Sequence, residues 1–159
     1  MNKTIEETID FANKFNNYAI TEQKNIKVIG IAPTFLCLQT AVKNLNTNIK
    51  VIAQNVSSNA KGAYTSQISC EMLKSIGVNA SLIGHSECRS LLHETDNEIS
   101  QKLHTLLKNN MTPILCIGES LEDYESNNTL NVLKQQLTAL NGIDYEINCG
   151  NIIIAYEPV

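Results

Sequence analysis

A surplus of basic residues is missing from this sequence of 159 residues, in which 12 Lys and Arg stand against 16 Asp and Glu for a formal net charge of −4. No positive footprint is available to neutralise a phosphate backbone, so nucleic acid is not an expected partner. Long apolar runs are missing as well. The longest uncharged stretch, Val28 to Val42, has 15 residues and contains Pro33, Thr34, Gln39 and Thr40, too short and too polar to cross about 30 Å of hydrocarbon. No membrane partner is expected. The opening MNKTIEETID is acidic and helix-like, without the basic segment and apolar core of a secretory leader, which makes the cytoplasm the expected compartment.

Paired cysteine spacings are also lacking. Cys37, Cys70, Cys88, Cys116 and Cys149 are scattered and odd in number, with no CxxC and no Cys/His spacing that would chelate zinc. Each reads as a reduced thiol acting as a small buried hydrophobe. Neither a metal nor a cofactor is expected.

What is present is an alternation of short apolar, β-branched runs with longer helical stretches. Thr4 and Glu7 form a T-x-x-E capping box before a helix whose apolar face is predicted to carry Ile5, Ile9 and Ala12. Strands are expected at Ile26 to Ala32, Ile49 to Ala53, Ala80 to Gly84, Pro113 to Gly118 and Ile152 to Tyr156. Helices are expected over about Phe35 to Leu45, about Ile68 to Ile76 with Gly77 just past its end, and from a second capping box at Thr95 to Glu98 through Lys108. A last helix carries Leu130, Leu133, Leu137 and Leu140. Between Gln54 and about Gln67 lies a polar loop longer than most strand-to-helix connections.

Taking Val28, Val51, Leu82, Leu115 and Ile153 as strand centres, the spacings are 23, 31, 33 and 38 residues. Repeating βα units of about 31 residues imply right-handed crossovers, a parallel sheet and an α/β class in one domain over residues 1–159. Two architectures fit: a five-stranded doubly wound sheet, or about five units of an eight-unit barrel. A start on a helix and an end just past a strand favour the barrel.

In both architectures ligands meet the C-terminal ends of the strands, so the residues just after each apolar run are the candidates for chemistry. His85 follows ASLIG, and Ser86 is a candidate N-cap for a short helix over Glu87 to Leu92. The positive end of a helix dipole favours a neutral imidazole, which can donate a hydrogen bond to a substrate carbonyl oxygen; the alternative is a structural ring satisfied by backbone. Glu157 follows IIIAY and precedes Pro158, which biases it toward extended geometry. A carboxylate there is either a general base for a proton next to a carbonyl or a solvated strand-end acid. Glu87, Arg89, Glu94 and Glu119 form either a charged network around these ends or ordinary surface ion pairs. His93 and His104 receive no role.

The strings GHSECR at 84–89, CIGE at 116–119 and AYEPV at 155–159, with looser matches APTF at 32–35, Gln54-Asn55 and GAYTSQ at 62–67, closely resemble the triosephosphate isomerase family in order and spacing. The resemblance covers practically the whole chain and implies a (β/α)8 TIM barrel, here incomplete, with the first barrel helix and strands 2 to 6. It implies interconversion of D-glyceraldehyde 3-phosphate and dihydroxyacetone phosphate without a cofactor, with His85 as electrophile, Glu157 as proton acceptor and Glu87 in support. It also implies a homodimer in which the loop Gln54 to Gln67 reaches the other subunit with Thr65 near its tip.

Two departures are local: GAYTSQ where the family commonly reads GAxTGE, and Cys88 where it commonly has Arg. A larger one is that the family's Asn-x-Lys strand precedes the position of Met1, and its hinged lid and phosphate-gripping loops follow that of Val159. The expectation is therefore a partial isomerase sequence, inactive alone, with strands 2 and 6 leaving apolar edges and a chain that is sticky or molten. A partner-binding module on a decayed barrel and one piece of a reconstituted split barrel are the alternatives.

Overall fold

A computed structural model of the chain describes residues 2–21, 28–144 and 150–158. Five short strands, β1 (Ile29–Ile31), β2 (Ile49–Val51), β3 (Ala80–Ile83), β4 (Thr112–Ile117) and β5 (Ile153–Tyr156), lie side by side in chain order. All the pairings are parallel: Ile29 stands opposite Ile49, Leu82 opposite Ile114, and Leu115 opposite Ile154. β2 meets β3 only past its end, where Ala53 bridges Ser81, the Ala53 N–H donating to Ala80 O at 2.9 Å and the Leu82 N–H to Ala53 O at 2.8 Å. A doubly wound sheet reverses its strand order part-way; a barrel keeps its strands consecutive. The consecutive order makes this an open arc of an α/β barrel.

The arc is covered by α2 (Leu38–Asn44), α3 (Cys70–Ser75), α5 (Asp96–Lys108) and α7 (Thr129–Gln136), with short α4 (Ser86–Leu91) and α6 (Leu121–Glu125) at strand ends. Along α5, Ile99, Leu103 and Leu106 recur at one-turn spacing and are fully buried against Leu73, Val78, Ile83 and Leu115. Its capping box forms as expected: Thr95 N–H donates to Glu98 Oε2 at 2.8 Å and Glu98 N–H to Thr95 Oγ1 at 3.3 Å. The Thr95 backbone N–H foremost, and then the Thr95 hydroxyl, which donates to the same Glu98 Oε2 at 2.7 Å, hold the Glu98 carboxyl below its ordinary range. Gly77, at φ +85°, closes α3 by donating to Lys74 O, and Val78 N–H reaches back to Leu73 O, both at 3.0 Å.

Several elements differ from the sequence expectation. In α1 (Ile5–Thr21), among the positions whose burial is described, Thr8 and Ala12 are buried while Ile5 and Ile9 stay exposed. Thr8 can be buried because its hydroxyl donates to Thr4 O at 2.7 Å. Asn16 then clips α1 to the end of α2, donating to Asn44 O and accepting from the Asn46 N–H, each at 2.8 Å. The helix expected from Phe35 opens as a 3-10 turn over Phe35–Cys37. α6 was unforeseen, although its signal is present: Ser120 Oγ accepts from the Asp123 N–H at 3.1 Å, an S-x-x-D cap. Leu130, expected on the buried face of α7, is exposed. Of the expected first strand, Ile26 and Lys27 lie outside the described residues, as do Cys149 and Val159.

Cys37, Cys70 and Cys116 are buried and Cys88 half-buried, in line with small core hydrophobes. Both edges of the arc carry exposed apolar side chains, Val28 beside β1 and Ile153, Ile154 and Tyr156 on β5. None of the described helices is long and apolar enough to cross a membrane.

Candidate active site

The C-terminal ends of β3, β4 and β5 converge, and each delivers one part of the site. β3 is followed by Gly84, whose φ of +67° turns the chain sharply so that His85 emerges at the start of α4. The N-cap is His85 itself, not Ser86: its Nδ1 accepts from the Glu87 N–H at 3.3 Å. An Nδ1 that accepts a hydrogen bond carries no proton, so the neutral ring presents Nε2–H outward. That Nε2 stands 3.9 Å from Glu157 Oε2, too long for a direct hydrogen bond. Donor and carboxylate are thus side by side and both free to engage a third group.

Glu157 is held by its backbone. Its N–H donates to Ile117 O at 2.9 Å, and its carbonyl lies against Gly118, 1.8 Å from where a Cβ would stand. Only glycine admits that approach. The Glu157 side chain is 71% exposed, and that of Glu87 is 77% exposed with Oε2 at 4.0 Å from His85 Nδ1. The structure therefore brings all three sequence candidates, His85, Glu157 and Glu87, to one place.

The charged network expected around the strand ends does not form as one unit. Arg89, largely buried, donates to Gly84 O at 2.7 Å, to Asp96 Oδ1 at 2.6 Å and to Cys116 O at 3.4 Å, tying β3 to β4 beneath His85. Glu94 pairs with Lys102 in a separate buried contact that also engages Asn55 Oδ1. Glu119, 3% exposed, receives the Tyr156 hydroxyl at 3.0 Å from each carboxylate oxygen and Thr129 Oγ1 at 3.3 Å. That hydrogen bond to a carboxylate, chiefly, raises the Tyr156 phenol. Strand-end spacing put these charges in view but could not assign their partners, which come from other helices and strands.

Cys116 sits below Glu157 on β4. Burial first, and then the negative charge of Glu157 against the opposing charge of Arg89, push its thiol from 9.0 up to about 11. The unfolded thiol ionises near 9 and the folded one near 11, so this group favours folding below pH 9 and the contribution is lost between pH 9 and 11. Urea midpoints measured over that range are expected to fall more steeply for the native chain than for Cys116→Ala.

A histidine Nε2–H donor just past β3 and a carboxylate just past β5, the two strands that flank β4, suit proton transfer next to a carbonyl. The triosephosphate isomerase family model matches residues 1–159. The chain belongs to the triosephosphate isomerase family. Relatives named triosephosphate isomerase include those of Flavobacterium psychrophilum, 48% identical over 161 residues, and Thermodesulfovibrio yellowstonii, 45% identical over 161 residues, each alignment taking in 100% of this chain. That of Mycoplasmopsis pulmonis is 42% identical over 166 residues. The chain spans 63% of the length of the first two relatives and 65% of the third. Membership in this isomerase family explains the consecutive strand order of the arc. Among the described residues, no group of three or more His, Cys, Asp or Glu is placed to hold a metal ion.

Proposed function

We propose that this chain carries the proton-transfer residues of a triosephosphate isomerase, acting on D-glyceraldehyde 3-phosphate and dihydroxyacetone phosphate through an enediolate. The observation that carries the reading is the placement of His85 Nε2 3.9 Å from the Glu157 carboxylate at the ends of β3 and β5. Glu157 takes the proton from carbon, and the His85 Nε2–H donates to the oxygen on which charge develops. Glu87 supports the histidine through its backbone N–H, which fixes the tautomer. No cofactor is needed, because the carbonyl already acidifies the neighbouring C–H.

Turnover by the chain alone is expected to be negligible. Contacts to a phosphate remote from the reacting carbon lower the barrier only when the groups that make them are present, and the family's lysine and phosphate loops fall outside this sequence. The test is an isomerase assay of the chain alone and mixed with a polypeptide supplying the part of a relative outside the match. Activity is expected in the mixture only, reduced about 10²- to 10⁴-fold by Glu157→Gln. A stable complex without turnover would overturn the reading in favour of a partner-binding module.

The loop Gln54 to Gln67 supports a homodimer as part of the same proposal. Its base is tied down, Thr105 Oγ1 donating to Ser58 O at 3.1 Å and Lys102 Nζ to Asn55 Oδ1 at 3.0 Å, while residues 60–67, Thr65 included, are exposed.

A further inference from the structure

Gln136 ends α7 and is 9% exposed, an unusual place for a carboxamide without a partner. Both of its ends address a single residue. Its Oε1 accepts the Gly118 N–H at 2.8 Å and its Nε2 donates to Gly118 O at 2.9 Å. The N–H and C=O of one extended residue point the same way, so the carboxamide gives Gly118 the two bonds that a neighbouring strand would have given it. β4 is thereby extended by one ordered residue past Ile117.

That residue is the surface on which Glu157 rests. The Glu157 carbonyl packs against the bare Cα of Gly118, and the Glu157 N–H bonds Ile117 O, one residue earlier on the same strand. A shift of Gly118 therefore moves the Glu157 backbone. Next to it, Glu119 is anchored to Tyr156 on β5 and to Thr129 on α7, so the turn is held from both sides, while Gln136 grips the N–H and C=O of Gly118 under Glu157.

We infer that Gln136 is a positioning residue: through Gly118 it sets the distance between Glu157 and His85. Its consequence for catalysis rests on the isomerase reading above; its structural consequence does not.

Two variants test it in the full chain by NMR. Gln136→Met keeps the length and removes both bonds, and Gln136→Glu keeps an acceptor for the Gly118 N–H. In Gln136→Met the amides of Gly118 and Glu157 are expected to exchange with solvent about tenfold faster or more, and the His85 Nε2 resonance to shift. Leu82, bonded to Ala53 O, and Met111, bonded to Leu106 O, serve as controls and keep their rates. Gln136→Glu is expected to restore part of the protection at Gly118 and, with it, at Glu157.

Faster exchange at Gly118 with Glu157 and His85 unchanged would overturn the inference, leaving a clamp on the turn only. Equal acceleration at Leu82 and Met111 would overturn it too, as would unprotected Gly118 in the native chain. In the reconstituted isomerase assay Gln136→Met is expected to lower kcat about tenfold with KM unchanged. A mixture that never turns over sinks the isomerase reading, while the exchange pattern still decides the positioning role.

Discussion

Lys102→Met is expected to destabilise the chain by about 3–5 kcal/mol, because it strands a buried carboxylate. The side chains of Glu94 and Lys102 are 6% and 15% exposed, and Lys102 Nζ also donates to Asn55 Oδ1 at 3.0 Å. Glu94 Oε2 is buried and has no hydrogen-bond partner among the described residues, so Lys102 is the main compensation for that charge there. The asymmetry of buried pairs gives a sharp check. Replacing both partners, Glu94→Leu with Lys102→Met, is expected to recover most of the loss, since the desolvated charges vanish together. Urea unfolding of the two single variants and the double variant measures it. A single-variant loss under about 1 kcal/mol would mean that the pair behaves as a surface contact.

Gly118→Ala is the second large effect, and it falls on the site as well as on stability. The new methyl meets the carbonyl of Glu157 at 1.8 Å, and the obstacle is backbone, so the end of β4 or β5 has to move. Overpacking of this kind costs about 1–3 kcal/mol, seen as a melting point several degrees lower. A displacement of about 1 Å at a reacting group costs about 10²-fold in rate, and that loss is expected in the reconstituted isomerase assay. Unchanged melting together with unchanged turnover would show that the strand end yields freely and does not fix Glu157.

Much of this arrangement was legible beforehand, for identifiable physical reasons. Strands buried on both faces announce themselves as continuous apolar runs, and TPILCI in β4 is buried at every position after its first. Capping boxes are local in sequence, so Thr4 with Glu7 and Thr95 with Glu98 could be read directly. His85 and Glu157 came into view because ligands on parallel sheets meet the strand ends, and the family resemblance supplied the roles proposed for them.

What escaped was non-local. The partners of Arg89 at Asp96 and Cys116, of Glu94 at Lys102, and of Glu119 at Tyr156 depend on how helices and strands pack together. Gln136, 18 residues beyond Gly118 in sequence, looked like an ordinary polar residue of a helix. The face of α1 was misread because Thr8 hides its hydroxyl on the backbone, which hydropathy alone does not show. The N-cap of α4 fell on His85 and not on Ser86 because an imidazole nitrogen can accept the helix N–H as a serine oxygen does.

Deuterium incorporation tests the central claim most directly. Dihydroxyacetone phosphate in D2O is incubated with the chain and its complementary segment, and the carbon-bound protons are followed by NMR. If Glu157 is the base, deuterium enters at the hydroxymethyl carbon with the native chain and fails to enter with Glu157→Gln in an equally assembled mixture. Equal incorporation by both would show that the proton is taken by another group, and that the juxtaposition of His85 and Glu157 is not the reacting pair.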